Sequence, residues 1–545
     1  MRTSLWRLGL AALALHLVLI QPNHPDAMTW GALWLFPLEL PVILLGLVVL
    51  PGQARWVLGL RALGVAVIML IAVFKIADYA TFTALSRSFN PVADLALIAA
   101  GARFATGAIG PALTLGGILA ALAMLALVAW VLWWASGTWA ELALPRRWAR
   151  RLGILGGLCA GIAVAEIGQA MGRWSLPVVP PGAAFTARVG LERVLMVRDT
   201  LAGLQTFRIA AANDPYAGGD GWLRGIDRDV LVVFVESYGR TSLDTPFYAG
   251  THRATLQAAE ARLHALGLSM SSGLLRAPTR GGQSWLSHAT FANGLWVADQ
   301  ISYTAVLRSG RRTLFHIAAD AGFRTAAVMP QITLDWPESA TMGFETVLAA
   351  ADLGYAGKPF NWVTMPDQFT FAALDRLLRD DADDRPLLVQ IATGSSHAPW
   401  VPVPALLPWE SIGDGRVFNA MATAGDPPDQ VWLDRERVRE QYRQAIDYAL
   451  RVVFDYAARH AADPPLIFVI GDHQAASFVA LDERHDVPVH VIGPAELVAP
   501  TRDWGWRDGL VPDPEGEVRP MDAMRNLILE SYSPRLDRTT LDTTR

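Results

Sequence analysis

Cysteine is almost absent from this 545-residue chain, which contains only Cys159. Because a disulfide needs two cysteines, no internal disulfide framework is available, and a globular part of about 300 residues can bury enough core without one. Charged residues are also scarce, at 18%, and the formal net charge is -5. We find no internal repeat and no Lys- or Arg-rich stripe in the globular part of the chain, which argues against a nucleic-acid partner.

Hydrophobic residues, in contrast, make up 52% of the chain and are concentrated in its first third. Five apolar segments there are predicted to cross a membrane as helices, since a hydrocarbon layer of roughly 30 Å needs about 20 apolar residues. The first is short enough to be mistaken for a signal peptide, but no small-residue cleavage site follows it. The five predicted spans are residues 5–20, 30–50, 56–76, 111–135 and 152–171.

Arginines between these segments predict the orientation of the chain, because short basic loops stay in the cytoplasm. They precede the first predicted span and also lie in alternate loops, so the N-terminus is predicted to be cytoplasmic. Everything after Met171 is then outside, in a multi-pass protein of the plasma (inner) membrane whose larger domain is periplasmic or otherwise extracytoplasmic. These arginines are Arg2, Arg7, Arg55, Arg146, Arg147, Arg150 and Arg151.

The remainder of the chain alternates strand-like and helical patterns from residue 229 onward. This alternation is typical of an α/β domain with a mainly parallel sheet flanked by helices. We therefore predict a transmembrane domain at 1–172, a connector at 173–228 with a helix over 187–204, a catalytic domain at 229–535 and a tail at 536–545. The proline-rich piece 399–429 is poorly patterned and is predicted to be a surface excursion.

Two buried strands end in residues that bind metals. The apolar run 230–235 is followed by Glu236, and the run 466–470 is followed by Gly471, Asp472 and His473. Parallel strands bring their carboxyl ends to one edge of a sheet, so these side chains are expected to meet there. Carboxylates and imidazole are ligands of divalent cations. Either string alone could equally be a polar turn after a strand.

A third segment, residues 278–293 (PTRGGQSWLSHATFAN), supplies a possible nucleophile. Its two glycines free the backbone, and Ser284 would stand at the start of a helix over 285–293, where backbone amides favour an anion. Ser284 is then either a phosphate-accepting nucleophile or the N-cap of that helix. A divalent cation at the strand ends would activate a serine hydroxyl, and this combination favours the nucleophile.

Other candidates are less specific. His397, in TGSSHAPW after a predicted strand, could position a substrate or protonate a leaving group, or could simply bind turn backbone. Trp285 and Trp336 could line a substrate groove or pack in the core.

Together these residues resemble the sulfatase and alkaline-phosphatase superfamily, and the apolar segments resemble its membrane-anchored, lipoteichoic-acid-synthase-like branch of phosphoglycerol transferases. The resemblance implies an alkaline-phosphatase-type domain with one divalent cation, manganese first and magnesium or zinc as alternatives. It implies that the cation is held by Glu236, Ser284, Asp472 and His473. It further implies that His397 contacts the substrate, to which we add Arg280, Trp285 and Trp336 as predicted substrate contacts.

The function implied is transfer of a phosphoglycerol-type head group from a membrane phospholipid to a glycan or other hydroxyl acceptor through phospho-Ser284. Alternatives are a phosphoethanolamine transferase, a phosphatase, phosphodiesterase or sulfatase-like hydrolase, and an inactive lipid- or glycan-binding protein. The chain departs from the Gram-positive synthases, which have threonine at Ser284 and an acidic residue at His288. It also lacks their histidine and arginine within 329–338, and the residues after Ser284 do not form the CxPxR-like context of true sulfatases.

Overall fold

The computed structural model describes residues 5–50, 54–85, 87–142, 144–218, 221–362, 364–380 and 382–534. The predicted tail at 536–545 lies outside the described residues. The chain divides into two compact units, Met1–Gly203 and Leu204–Arg545, each with its own packing.

The first unit consists of helices. Its α-helices are α1 (Leu5–Leu19), α2 (Glu39–Val49), α3 (Arg55–Leu85), α4 (Leu95–Ile109), α5 (Pro111–Ala140), α6 (Arg146–Ala170) and α7 (Phe185–Ala212), the last of which continues into the second unit. The predicted helix over 187–204 is therefore part of the longer α7.

Three helices of the described chain, α3, α5 and α6, are long and apolar enough to cross a membrane. The two other predicted spans are helical but short, because α1 has 15 residues and α2 has 11. At 1.5 Å per residue they extend roughly 22 and 16 Å, less than a hydrocarbon layer of roughly 30 Å. The segment predicted at 30–50 is interrupted, since Trp30–Trp34 forms a separate 3-10 turn before α2. The structure therefore confirms apolar helices of membrane length, but it does not confirm that there are five of them.

Within its described residues, the second unit is built on a mixed sheet of nine strands. These are β1 (Val230–Val235), β2 (Ser269–Arg276), β3 (Arg324–Met329), β4 (Thr346–Ala349), β5 (Leu387–Ala392), β6 (Leu466–Gly471), β7 (Asp486–Gly493), β8 (Arg507–Asp508) and β9 (Val518–Pro520). Their order is β4-β3-β5-β1-β6-β7-β2-β8, with β9 beside β2. The five strands from β4 to β6 are parallel, whereas β7 runs antiparallel to β6 and β2 antiparallel to β7.

Helices cover both faces of this sheet. Leu231, Val233 and Val235 of β1 belong to one hydrophobic core, and Val230, Val232 and Phe234 belong to another. Successive side chains of a strand point to opposite faces, so β1 is buried on both sides, as expected of a central parallel strand. The helices are α8 (Thr241–Asp244), α9 (Pro246–Ala265), α10 (Ser284–Asn293), α11 (Gln300–Leu307), α12 (Leu314–Asp320), α13 (Asp367–Leu374), α14 (Pro428–Val431), α15 (Arg435–Arg459), α16 (Ser477–Ala480), α17 (Ala495–Val498) and α18 (Ala523–Ser531).

The proline-rich piece 399–429 contains only short helical turns, which agrees with its lack of pattern. It is not merely a surface excursion, however. Trp400, Val401, Ile412 and Phe418 are buried in the same core as α9 and α15. The expectation of a surface excursion is therefore wrong for these residues, because their scattered spacing hides a buried role from any periodicity argument.

Candidate active site

Strand register brings the candidate metal ligands together. Val235, the last residue of β1, pairs with Gly471, the last residue of β6. Glu236 and Asp472 are the next residues of two parallel neighbours, so they leave the sheet side by side. Gly471 lets the backbone after β1 pass close to the end of β6, since a Cβ at position 471 would lie 1.9 Å from Tyr238 O.

Glu236, Asp472 and His473 form a buried cluster at this edge, with one ligand atom of each within 4.8 Å of the others. His473 Nε2 lies 3.3 Å from Glu236 Oε1 and 3.8 Å from Asp472 Oδ2. Backbone amides fix the cluster, because Asp472 Oδ1 accepts from Ser237 N at 2.8 Å and from His473 N at 2.6 Å.

The charges of the cluster interact strongly. Burial raises the pKa of Asp472, and the neighbouring Glu236 raises it further, to about 8. Burial alone would also raise the pKa of Glu236, but His473 and His397 bring it below its ordinary value. For His473, burial lowers the pKa, yet Asp472 and Glu236 outweigh it and bring the value to about 9. Two buried carboxylates at this distance thus need positive charge beside them.

These residues fit a divalent cation. Two carboxylates, one imidazole and a neighbouring hydroxyl are a donor set for manganese, magnesium or zinc. His473 donates from Nδ1 to Gln474 O at 3.0 Å, while its buried Nε2 makes no hydrogen bond within the described part of the chain. A histidine that binds a metal usually donates its other ring N–H to a carbonyl in this way, which fixes the ring.

Ser284 is the first residue of α10 and lies beside the cluster. Gly281 and Gly282 adopt positive φ angles of 75° and 143°, and Gly281 N donates to Gln474 O at 2.8 Å, which ties this turn to the residue after His473. Ser284 Oγ donates to Glu236 Oε2 at 3.1 Å and also forms a hydrogen bond that lowers the pKa of Asp472. The N-cap position is held by Gln283, so the interpretation of Ser284 as a cap is wrong.

His397 is brought to the cluster by the loop after β5. Thr393 Oγ1 accepts from Glu236 N at 3.3 Å, and Ser396 Oγ donates to Glu236 O at 2.6 Å, so this loop holds the backbone of Glu236 on both sides. His397 Nδ1 donates to Ala398 O at 2.6 Å. The turn-backbone contact expected of a structural histidine is therefore present, and His397 is also close enough to lower the pKa of Glu236.

Asp367, at the start of α13, was not predicted from the sequence. Its Oδ1 accepts from Gly394 N at 2.7 Å and Ser395 N at 3.0 Å, and its own backbone N donates to Ser395 Oγ at 2.9 Å. Burial raises the pKa of Asp367 to about 6. In the sequence it is a single aspartate after Pro366, which gives no hint of the loop it holds.

The predicted substrate residues lie in different surroundings. Trp285 is next to Ser284, partly exposed, and donates to Gln300 Oε1 at 3.0 Å. Arg280 is buried and forms an ion pair with Glu483 at 2.6 Å. Trp336 packs beside Phe344, with 6.1 Å between ring centroids, so its described contacts are those of a core residue.

His288 lies one turn after Ser284 on α10. Its ring centroid is 4.1 Å from that of Phe234, and Gln390 Nε2 is 3.4 Å from its Nδ1. Burial lowers its pKa to about 4, so His288 is a neutral imidazole at neutral pH.

A parallel sheet edge that places a possible metal-binding cluster next to a serine at a helix start is compatible with metal-assisted ester chemistry. Residues 228–492 match the family model described as Sulfatase, and this part of the chain is a domain of the sulfatase family. The resemblance to the sulfatase and alkaline-phosphatase superfamily is thereby confirmed.

Solved structures with similarity to the chain include the lipoteichoic acid synthase LtaP from Listeria monocytogenes, at 11% identity over 60% of this chain and 81% of that chain, with a TM-score of 0.36. The phosphoglycerol transferase GacH from Streptococcus pyogenes has 14% identity over 54% and 74%, with a TM-score of 0.34. Lipooligosaccharide phosphoethanolamine transferase A from Neisseria meningitidis has 14% identity over 59% and 92%, with a TM-score of 0.38. No curated protein sequence matches the chain.

Proposed function

We propose that this protein is a membrane-anchored phosphotransferase of the multi-pass type, with its catalytic domain outside the cytoplasm. It moves a phosphoglycerol-type head group from a membrane phospholipid to a hydroxyl acceptor such as a glycan. The observation that carries this proposal is the contact of Ser284 Oγ with Glu236 Oε2 at 3.1 Å, at the first residue of α10 and next to Asp472. A hydroxyl so placed is suited to attack a phosphorus atom and to hold it as an ester.

Glu236, Asp472, His473 and Ser284 would hold one divalent cation, with manganese, magnesium or zinc all compatible with the donors. When bound, such an ion supplies positive charge that lowers the pKa of a serine hydroxyl and stabilises negative charge on a phosphoryl group. α10 begins at Ser284, and the first backbone amides of a helix favour phosphoryl oxygens.

The first displacement forms the Ser284 Oγ–P bond and breaks the P–O bond to the lipid alcohol. The Ser284 proton is directed at Glu236 Oε2, and His397 is the residue that we expect to protonate the departing diacylglycerol oxygen. In the second displacement, the acceptor hydroxyl gives its proton to His397 and attacks the same phosphorus. Ser284 then leaves and takes back its proton.

The purified full chain, given phosphatidylglycerol labelled in the head group together with a glycan acceptor, tests this function. Label on the glycan and an equal amount of free diacylglycerol are the expected products. Label released as glycerol phosphate would indicate a hydrolase instead. Retained lipid binding without any turnover would indicate an inactive binding protein.

A further inference from the structure

A half-exposed apolar patch lies on segments that follow β5 and β6. We define the rim patch as Trp432, Leu433, Phe478 and Leu481. Leu433 is 88% exposed, Trp432 and Leu481 are also exposed, and Phe478 is partly buried. Clustered exposed apolar side chains on a folded domain usually mark a surface that binds something.

The rim patch is tied by direct contacts to the loops of the active site. Trp432 stacks on Trp400 with 5.7 Å between ring centroids, and Trp400 Nε1 donates to Ser396 O at 2.7 Å, next to His397. The ring centroid of Trp432 also lies 5.9 Å from that of Phe478, and Phe478 follows His473 by five residues in the chain. The patch is therefore continuous with both loops that deliver the candidate catalytic groups.

Two arginines accompany the rim patch. Arg439 donates from Nε and Nη2 to Phe478 O, at 3.1 and 2.9 Å, and Arg435 is exposed two residues after Leu433. Among the described residues, the ion pairs in the first turns of α15 are those of Arg437 with Asp426 and of Arg443 with Glu440, not of Arg435 or Arg439. Two exposed acidic residues flank Arg435. Asp434 is the N-cap of α15 and accepts from Glu436 N at 2.9 Å, and Glu436 is the second. Guanidinium groups beside apolar side chains match the phosphates and acyl chains of a lipid surface.

We propose that the rim patch binds the acyl chains of a glycerophospholipid in a bilayer while the head group of that lipid is held at Ser284. This inference rests on the proposed function, in which the donor is a phospholipid. Three helices of the described part of the same chain are long and apolar enough to cross a bilayer, so lipid is the apolar partner that the chain would always meet. A lipid phosphate at Ser284 carries its acyl chains to the rim of the site, and the rim patch shields them from water.

The first experiment compares two substrates with the full chain in lipid nanodiscs. These are long-chain phosphatidylglycerol and a water-soluble nitrophenyl phosphodiester that has no acyl chains. We expect Leu433→Asn to lower the ratio of kcat/KM for the lipid to kcat/KM for the soluble ester by about fivefold or more. Leu266→Asn is the matched control, because Leu266 is also exposed but is the C-cap of α9, on the segment that leads into β2. An unchanged ratio in Leu433→Asn overturns the proposal.

The second experiment does not depend on turnover. Because Cys159 is the only cysteine, a Cys159→Ala background allows one fluorophore to be attached at Leu433→Cys or, as a control, at Val417→Cys. Phosphatidylglycerol brominated in its acyl chains should quench the probe at position 433 more strongly than the probe at 417. Equal quenching at the two positions overturns the inference. Shielding of the probe at position 433 that depends on protein concentration rather than on lipid concentration also overturns it, since a second copy of the chain would then cover the patch. If wild-type protein turns over neither substrate, the proposed function fails, while quenching still decides the role of the patch.

Discussion

Ser284 differs from the nearby hydroxyls in what its oxygen contacts. Thr279 Oγ1 donates to Gly282 O at 2.7 Å, and Thr290 Oγ1 accepts from Val297 N at 3.0 Å, so both serve the backbone. Ser287 Oγ is buried and has no partner in the described part of the chain. We therefore expect Ser284→Ala to lower turnover by roughly 10³-fold or more and to abolish a covalent intermediate.

Mass spectrometry of enzyme quenched during turnover checks this prediction. Ser287→Ala is the matched control on the same helix and should keep appreciable activity. Thr290→Ala is expected to lose about 1 kcal/mol of stability, because the Val297 amide loses its acceptor. A phosphoglyceryl adduct on Thr279, or full activity in Ser284→Ala, would show that the nucleophile lies elsewhere.

Glu236 and Asp472 are expected to determine the metal content of the protein. Glu236→Ala and Asp472→Ala each remove a donor at the end of a strand without opening the cores, so the chain should stay folded and lose bound metal. Elemental analysis of the purified full chain, together with circular dichroism, measures both effects. Full metal content in both variants would place the metal site elsewhere.

Asp367 is expected to act through the loop that it holds. Asp367→Asn keeps the size of the side chain but weakens its hydrogen bonds to Gly394 N and Ser395 N, and that loop holds Glu236. We predict a lower kcat with little change in KM. Asp375→Asn is the control, because Asp375 follows the same helix but binds His460 and Tyr456 instead.

The same aspartate gives a pH signature. Its pKa is raised by burial from 3.8 to about 6, so the folded state retains this proton longer than the unfolded state does. Stability from this group is therefore lost as the pH rises from about 4 to 6, by on the order of 3 kcal/mol at most. The melting temperatures of wild type and Asp367→Asn should converge below about pH 4, diverge as the pH rises from about 4 to 6, and stay apart above pH 6. A constant difference would contradict the assignment.

At the scale of elements, strand ends could be predicted from the sequence and loop contacts could not. The apolar runs of β1 and β6 are continuous because both faces of these strands are buried. The ends of these runs were enough to single out Glu236, Asp472 and His473 as candidate ligands. The contact of Ser396 with Glu236 joins residues 160 positions apart, which no local pattern encodes. Likewise, Ser284 is the first helical residue because Gln283 adopts a left-handed conformation with φ of 67°. Glutamine rarely adopts this conformation, so the sequence does not predict it.

The start of α7 shows how one helix is held by another. Thr186 N and Ala187 N belong to the first turn, whose amides have no partner within the helix, and both donate to Glu39 Oε1 at 2.7 and 2.9 Å. Glu39→Ala leaves these buried amides without that acceptor, and we expect a loss of about 2 kcal/mol or more. Thermal unfolding of the full chain in detergent measures it.

Glu192→Ala is the matched control for Glu39, since Glu192 lies on α7 itself and is 3.9 Å from Arg188 in a partly exposed pair. Such a pair contributes little, so the control should change stability by less than about 0.5 kcal/mol. Equal effects of the two substitutions would mean that Glu39 does not hold the helix start.

At the scale of the whole molecule, composition predicted a membrane part and an α/β part. The described chain has three helices long and apolar enough to cross a membrane, and it has an α/β domain. The number of crossings was harder to predict, because apolar composition does not show where a helix is interrupted. Contacts between the loop after α1 and the end of α3 provide evidence on the number of crossings. Asn23 Nδ2 donates to Asp78 Oδ2 at 3.0 Å, and the ring of His24 lies 4.5 Å from that of Phe82. The loop between α1 and α2 therefore packs against the C-terminal end of α3.

This contact predicts the side of the membrane on which that loop lies. If α3 runs outward from Arg55, its C-terminal end is external, and the loop around Asp26 must be external too. A chain crossed only by α3, α5 and α6 would instead leave Asp26 in the cytoplasm. In a Cys159→Ala background, we expect Asp26→Cys to react with a membrane-impermeant thiol reagent in intact cells or spheroplasts, because this side chain is 94% exposed.

Arg151→Cys and Arg228→Cys complete the topology experiment. Arg151 belongs to the basic start of α6, so its cysteine should react only after the membrane is permeabilised. Arg228 precedes β1, and its cysteine should react from outside. External labelling at Asp26 and Arg228 but not at Arg151 supports α1 and α2 as short crossings that complete the bundle. Labelling of Asp26 only after permeabilisation would reduce the crossings to three, while labelling of Arg151 from outside would reverse the orientation itself.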